Sequence, residues 1–364
     1  MNVAPSNVSA RAPFDMPTGV PFELPEKYAA LADKRMLVTG AAGFIGGALL
    51  RRLADHGLDV TGTVWRPEEA EALRAEGYTA EVLDLLSDEP FDRYVADMDI
   101  VFNVAAMFQE TEYDEATYLK ANRDGALKLC EAAARAGVAR FVHCSTVGVH
   151  GDVKEVPCKE TTPFNPMDQY HRTKLAGELA IFDFARSLPE DGMVVTANRP
   201  AMVYGPGDTR MLKLFQRVLG GRFMMIGSGK VLAHLGYIDD QVDSFLDCAV
   251  APREKVHLEA FNIASDEPLA LGELVGLIAE AGKVPPPRGR IPVAPVWFAG
   301  LVCEILWLPF KARPPLFRRR VGFFTHSRAF DLGKAQTRLD YQSKVGNADG
   351  IARTIAWYRE NGLV

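Results

Sequence analysis

A tyrosine and a lysine four residues apart, Tyr170 and Lys174 in DQYHRTKLAGE, share one face if this stretch is helical. A free phenol loses its proton near pH 10, too high for a base at neutral pH. A cation one turn away favours the phenolate and brings that value down. Such a pair can move a proton to or from an oxygen, and the lysine can also reach a ribose hydroxyl. Of the ten tyrosines in the chain, Tyr170 alone has a lysine four residues on. Upstream, CSTVGVHG closes an apolar run, and a hydroxyl there can hold a substrate oxygen beside Tyr170. Thr146 is the first candidate for that role and its neighbour Ser145 the second.

A second group is built for phosphates. Gly40, Gly43 and Gly46 fall at three-residue intervals between the apolar run RMLVTG and the amphipathic run GFIGGALLRRLADHG. One glycine at a strand end permits a tight turn, a second lets the backbone approach a pyrophosphate, and a third lets a helix pack closely on the sheet. The helix N-terminus then offers N–H groups and a positive dipole end to the phosphates. The next strand end, TVWRP, has no acid at Val64 or Trp65 and Arg66 just beyond. An acid there would suit the ribose of NAD, whereas an arginine suits a 2′-phosphate, so the cofactor expected is NADP rather than NAD. Asp84, followed by Leu85, either hydrogen-bonds an adenine or caps a turn.

The elements that must carry these residues alternate. DVTGTVW, YTAEVLDL, DIVFNVAA and RFVHCSTV read as strands after RMLVTG. EEAEALRAEG and EATYLKANRDGALKLCEAAARAGV read as helices between them. The pattern predicts an α/β fold with a doubly wound, mostly parallel sheet, which collects ligands at the carboxyl ends of its strands. Residues 1–33, rich in Pro and Ala, read as a flexible extension, and 34–200 as the dinucleotide-binding domain. Residues 201–364, looser and rich in Gly and Pro, read mainly as a substrate lobe with returning segments.

Composition narrows the partners. Hydrophobic residues make up 48% of 364, and 41 Lys and Arg against 47 Asp and Glu give a net charge of −6. That balance argues against nucleic acid, whose binders carry a basic face. Five scattered cysteines without CxxC spacing fit a reducing compartment better than a disulfide framework, and no metal site is expected. No signal peptide is read at the start, so the expected location is cytoplasmic. One segment stands apart: APVWFAGLVCEILWLPF followed by KARPPLFRRR, an apolar run beside a basic one. It is too short and too broken by proline to span a membrane, but 294–320 can rest on a membrane surface, cover an apolar substrate, or simply form a core helix.

Taken together, TGAAGFIG, NVAA, CSTVGVHG, YHRTK, RPAMVYGPGD, YIDD and DLGKAQTRLDYQ resemble the extended short-chain dehydrogenase/reductase family, over about 35–361. The resemblance implies a Rossmann-type domain holding NAD or NADP, with a smaller C-terminal substrate lobe. It implies that Gly40, Gly43, Phe44, Ile45 and Gly46 meet the pyrophosphate, Asp84 and Leu85 the adenine, and Ala105 the length of the cofactor. Lys174 would meet the nicotinamide ribose, with Asn122 and Pro200 close by. Thr146, Tyr170 and Lys174 would form the catalytic set. It also implies a homodimer through helices around 119–135 and 170–186.

Departures from the family pattern sort its branches. Dehydratases carry an acid just after the catalytic hydroxyl, where this chain has Val147 and Gly148, so elimination is not expected. Sugar-nucleotide epimerases carry an arginine two residues before the aromatic of the YIDD-like segment, where this chain has Leu235. Lys230, Arg210 and Arg320 could compensate, but none stands at the matching place. The apolar segment before the closing motif resembles the 3β-hydroxysteroid dehydrogenase-like branch. The first expectation is thus an oxidoreductase interconverting a secondary alcohol and a ketone on an apolar, steroid- or isoprenoid-like small molecule. The alternative is a nucleotide-sugar 4-epimerase with transient oxidation by bound NAD. A non-catalytic cofactor sensor is the remote third.

Overall fold

The computed structural model describes residues 25–108, 113–153, 155–307 and 318–364. Seven strands make one sheet: β1 (Met36–Thr39), β2 (Val60–Val64), β3 (Ala80–Val82), β4 (Ile100–Asn103), β5 (Arg140–Cys144), β6 (Val194–Pro200) and β7 (Ala260–Ile263). Their spatial order is 7-6-5-4-1-2-3, and every neighbouring pair is parallel. The order reverses between β1 and β4, the place where doubly wound sheets open a crevice for ligands.

Helices cover both faces, which is why the strands read as unbroken apolar runs. The principal helices are α1 (Phe44–Asp55), α2 (Pro67–Ala75), α3 (Ala126–Arg135), α4 (Gln169–Ala185), α5 (Leu212–Leu219), α6 (Ile238–Val250), α7 (Leu271–Gly282), α8 (Val293–Trp307) and α9 (Asn347–Glu360). Met36, Val38, Phe102 and Val142 face α1, α2 and α6, against Leu49, Leu50, Leu53, Leu73 and Phe245. Leu37, Val101, Phe141 and Val195 face the other way, onto Leu129, Ile181 and Phe182 of α3 and α4. Burying a leucine of this kind contributes about 1.5–3 kcal/mol, so the triplet in α1 alone anchors the helix firmly to β1 and β2. Gly62 in β2 permits the approach, since a Cβ there would stand 2.7 Å from the Ala41 Cβ and 2.9 Å from Leu50. At its far end α1 stops at Gly57, whose φ is +73°. The Gly57 and Leu58 N–H groups close back onto Ala54 and Leu53.

Of the extension expected over 1–33, residues 1–24 lie outside the described residues. Glu26–Leu31 form a 3₁₀ turn with Tyr28 and Leu31 buried in the main core. Tyr28 donates to Asp247 at 2.8 Å, and Lys27 pairs with the same carboxylate at 2.7 Å. A second core gathers Phe215 and Val218 of α5, Leu274 and Ile278 of α7, and Ile351, Ile355 and Tyr358 of α9. Phe44, Ile45 and Ala48 at the start of α1 pack against it, so the glycine turn lies where the two cores meet.

Candidate active site

Two arms converge at the carboxyl ends of β1, β4 and β5. The first is the glycine turn. Gly40 has φ +70°, and a Cβ there would stand 2.8 Å from the Ala105 Cα. A Cβ on Gly43 would stand 2.9 Å from the Gly40 carbonyl oxygen, and one on Gly46 only 2.3 Å. All three positions thus lack room for a side chain. Gly43 caps α1 with no side-chain hydrogen bond, and the first turn holds no acid. Its N-terminal N–H groups and dipole therefore meet no protein anion in that turn. Gly46→Ala should lower the melting temperature by several degrees and weaken cofactor binding more than tenfold, because the start of α1 must shift. Overpacking of this kind costs about 1–3 kcal/mol. Gly276→Ala, a helical site with open space around it, is the control that should change neither in a thermal melt and a cofactor titration.

A hydrogen-bond chain holds the loop beside this turn. The Ala105 N–H donates to Thr39 Oγ1 at 3.0 Å, Thr39 donates to Asn103 Oδ1 at 3.1 Å, and Asn103 Nδ2 donates to His143 Nδ1 at 3.1 Å. The contact at Nδ1 places the ring proton on Nε2, which has no partner among the described residues. Burial, with Lys174 as the lesser cause, holds His143 well below its usual value, so the ring is neutral. Asn122 works in the same way. It lies in a π-helical turn, Lys120–Gly125. Its amide accepts from Met107 N–H at 2.7 Å and donates to the Met107 carbonyl at 3.1 Å and to Thr173 at 3.1 Å. Those bonds fasten the loop after β4 to α4.

The second arm is α4 and the turn after β5. Asp168 caps α4 by accepting from the His171 N–H at 2.6 Å, and Tyr170 follows in the first turn. Tyr170 is half-buried and meets the Phe108 ring edge to face at 4.7 Å. Thr146 is half-buried and accepts from the Gly148 N–H at 3.0 Å, leaving its own proton to donate. Ser145 Oγ is buried and has no partner among the described residues. Gly148 is where the His171 imidazole rests: a Cβ there would fall 2.1 Å from the ring. Burial and then Arg328 bring His171 down to about 4, so a neutral ring stands there.

Electrostatics correct one expectation. Burial raises the Tyr170 phenol above its usual value, Cys144 raises it further, and the cation that lowers it is Arg210. Lys174 was expected in that role. It is itself buried, its charge depressed by burial and supported by Cys144 and Glu178, and its field falls on His143 and Cys144 of β5. Arg210 is held by Asp208 at 2.8 Å and the Val203 carbonyl at 2.7 Å, with its guanidinium over Phe44 at the start of α1.

Arg66, just past β2, stacks on Trp65 at 5.0 Å and precedes α2, with Glu69 accepting from its N–H. Asp84 accepts from the Leu86 N–H at 2.9 Å, the turn-capping alternative, and Leu85 lies against Gly125. Pro200 ends β6. Leu235 is buried in the second core, Lys230 is exposed, and the Arg320 side chain lies outside the described residues. Among the described residues no group of three or more His, Cys, Asp or Glu is arranged to hold a metal. Sequence reasoning missed the roles of Asn103, His143 and Arg210. The signal was present for the first two, since a polar residue inside an apolar strand run must find a partner.

Comparison with known proteins follows the same lines. The chain is 29% identical over 344 residues to a 2-alkyl-3-oxoalkanoate reductase of Shewanella oneidensis, covering 90% of this chain and 87% of that one. It is 27% identical over 341 residues to a 3-beta-hydroxysteroid dehydrogenase of Mycolicibacterium neoaurum, covering 90% and 92%. The crystal structure of UDP-glucose 4-epimerase with UDP-glucose from Thermotoga maritima superposes with a TM-score of 0.69 at 25% identity, covering 90% and 99%. Sheet order, glycine turn and the tyrosine–lysine helix define the class: an NAD-dependent enzyme of the extended short-chain dehydrogenase/reductase type. Residues 36–264 match the NAD dependent epimerase/dehydratase family, and the chain belongs to it.

Proposed function

We propose that this enzyme interconverts a secondary alcohol and a ketone on an apolar small molecule, with NADP as its preferred cofactor. The observation that carries the reading is Leu235. The family's sugar-nucleotide branch needs a cation there to clamp a diphosphate, and here the position is sealed in an apolar core. The reductase of 2-alkyl-3-oxoalkanoates among the relatives supports the same direction. In this reading 34–200 hold the cofactor and 201–364 mainly shape the substrate site. The enzyme acts in the cytoplasm as a homodimer.

The residues present fit a dinucleotide. Three glycines clear the floor of the crevice, the α1 N-terminus carries no acid in its first turn, and Arg66, just past β2, is of the kind that suits a 2′-phosphate. Lys174, a buried side chain on α4, suits a ribose hydroxyl. When bound, the nicotinamide supplies or accepts the hydride. Thr146 donates to the substrate oxygen and orients it, with Ser145 beneath. Tyr170 gives its proton to that oxygen in reduction and takes it back in oxidation. Burial raises Tyr170, so the phenol carries its proton at neutral pH, the form that donates in ketone reduction. Val147 and Gly148 add no acid, and the neutral His171 ring beside them is a poor one.

The nucleotide-sugar epimerase remains the second reading because a solved relative at 25% identity carries UDP-glucose. Thermal stability of the NADP-loaded protein with UDP, dTDP and GDP separates the two. A diphosphate site saturated about a hundredfold adds roughly 2.7 kcal/mol and a clear upward shift. The expected result is a shift with NADP, a smaller one with NAD, and none with the three nucleotides. A shift with any one of them would overturn the apolar-ketone reading.

A further inference from the structure

The segment 327–331 is fastened on both sides, yet the arginine it carries is little used. The Leu232 N–H donates to Ser327 Oγ at 3.1 Å, and the Arg328 N–H donates to the Leu232 carbonyl at 2.8 Å. The Phe330 N–H donates to His234 Nδ1 at 3.1 Å. On the other side the Cys158 N–H donates to the Ala329 carbonyl and the Asp331 N–H to the Cys158 carbonyl, both at 2.8 Å. The backbone under Arg328 is therefore fixed. Its guanidinium makes one hydrogen bond among the described residues, Nη2 to Asp152 Oδ1 at 3.3 Å, and the side chain is 35% exposed. Most of its N–H donors are left for a ligand.

Arg328 stands beside the proton-transfer arm. Asp152 comes two residues after His150, the end of the turn that Thr146 begins. His171, the residue after Tyr170, rests its ring on Gly148 of the same turn, and Arg328 is the cation that, after burial, lowers it. The other charged or titratable groups there are Asp168, 3.0 Å from His171 Nδ1, and His326, 3.7 Å from Asp152. Arg210 serves the opposite arm, over Phe44. We propose that Arg328 receives a carboxylate of the substrate, so that the ketone turned over here is an oxo acid with an apolar chain. A guanidinium meets a carboxylate through two parallel N–H···O bonds, which a neutral ester cannot reproduce. One arginine, already half engaged by Asp152, suits a singly charged group better than a phosphate. The inference rests on the alcohol–ketone reading and names the chemistry of its substrate.

The test sets a medium-chain oxo acid against its methyl ester in turnover with NADPH, and decanoate against decanol in thermal shift of the protein with NADP. The acid should be preferred to the ester. Arg328→Gln should cut that preference about 10- to 100-fold, through KM, the worth of hydrogen bonds to a charged group. Arg328→Lys, which keeps the charge and loses the fork, should fall between. Asp152→Asn removes a competitor and should raise the preference by up to about fivefold. Melting temperatures should hold in all three, because a partly exposed pair contributes little to stability. Decanoate should give a shift that decanol does not and that Arg328→Gln removes. Equal turnover of acid and ester by the wild type would overturn the proposal. So would an Arg328→Gln variant that loses both alike, or an Asp152→Asn variant that falls with it, as a purely structural pair requires. If neither ketone is turned over, the alcohol–ketone reading fails, and decanoate alone decides. A decanoate shift abolished by Arg328→Gln then keeps the carboxylate site, whereas no shift, or one the variant retains, removes it.

Discussion

Tyr170→Phe should leave a folded protein that still binds NADP while its turnover of a ketone falls about 10³-fold. A positioned proton donor contributes about 10²–10⁴-fold, and nothing nearby replaces this one efficiently. The ring that remains keeps its edge-to-face contact with Phe108, so the first turn of α4 should hold its place. Lys174 is untouched one turn on, so cofactor affinity should change little. One alternative donor is His171, whose ring centroid lies 5.3 Å from that of Tyr170. Its value of about 4 leaves almost no imidazolium at neutral pH. The measurement is single-turnover oxidation of NADPH with an apolar ketone, alongside the thermal shift that NADPH produces. Loss of rate with the shift preserved is the expected outcome. A variant that keeps more than about a tenth of the rate would move the proton chemistry elsewhere, with His171 first in line. A protein whose function persisted without the phenol would be a cofactor sensor.

Much of this was legible in the chain, for physical reasons that differ by element. The strands could be read because a parallel sheet covered on both faces leaves continuous apolar runs such as MLVT and IVFN. The glycine turn could be read because backbone sterics tie its residue type to its place: no Cβ fits at Gly40 or Gly46. The tyrosine–lysine spacing placed two side chains on one helix, but helical spacing does not say where a long side chain ends. Lys174 lies buried against β5, and the cation acting on the phenol, Arg210, comes from 40 residues downstream. Contacts of that separation leave no periodic trace. The same holds for Asn122, whose place near the cofactor loop was inferred while its three hydrogen bonds to Met107 and Thr173 were not. Short pairings in the second core, such as Met225–Ile226 with Arg290–Ile291, also escaped, because two-residue strands carry too little pattern to count.

The second large effect concerns what holds α4 in place. Glu178 on α4 and Arg199 on β6 are both buried and paired, with Nε to Oε2 at 3.0 Å and Nη2 to Oε1 completing the fork. Arg199 continues to His150 Nε2 at 3.2 Å and lies over Phe164 at 5.2 Å. His150 ends the short turn that Thr146 begins. One guanidinium thus ties the helix of Tyr170 and Lys174 to the sheet and to the turn that Thr146 begins. Glu178→Ala strands a buried positive charge, which costs about 3–5 kcal/mol, a large share of the stability of a typical domain. Urea unfolding should therefore move to a much lower midpoint. Glu178→Met combined with Arg199→Leu should recover most of that loss, because paired apolar side chains need no desolvated charges. Stability and catalysis then part company. The double variant should fold well yet turn over more slowly, since the link from α4 to the Thr146 turn is gone. Full recovery of both would make the ion pair dispensable for positioning. Full recovery of stability with turnover still reduced at saturating ketone would make it a positioning device, one that acts through kcat rather than through KM.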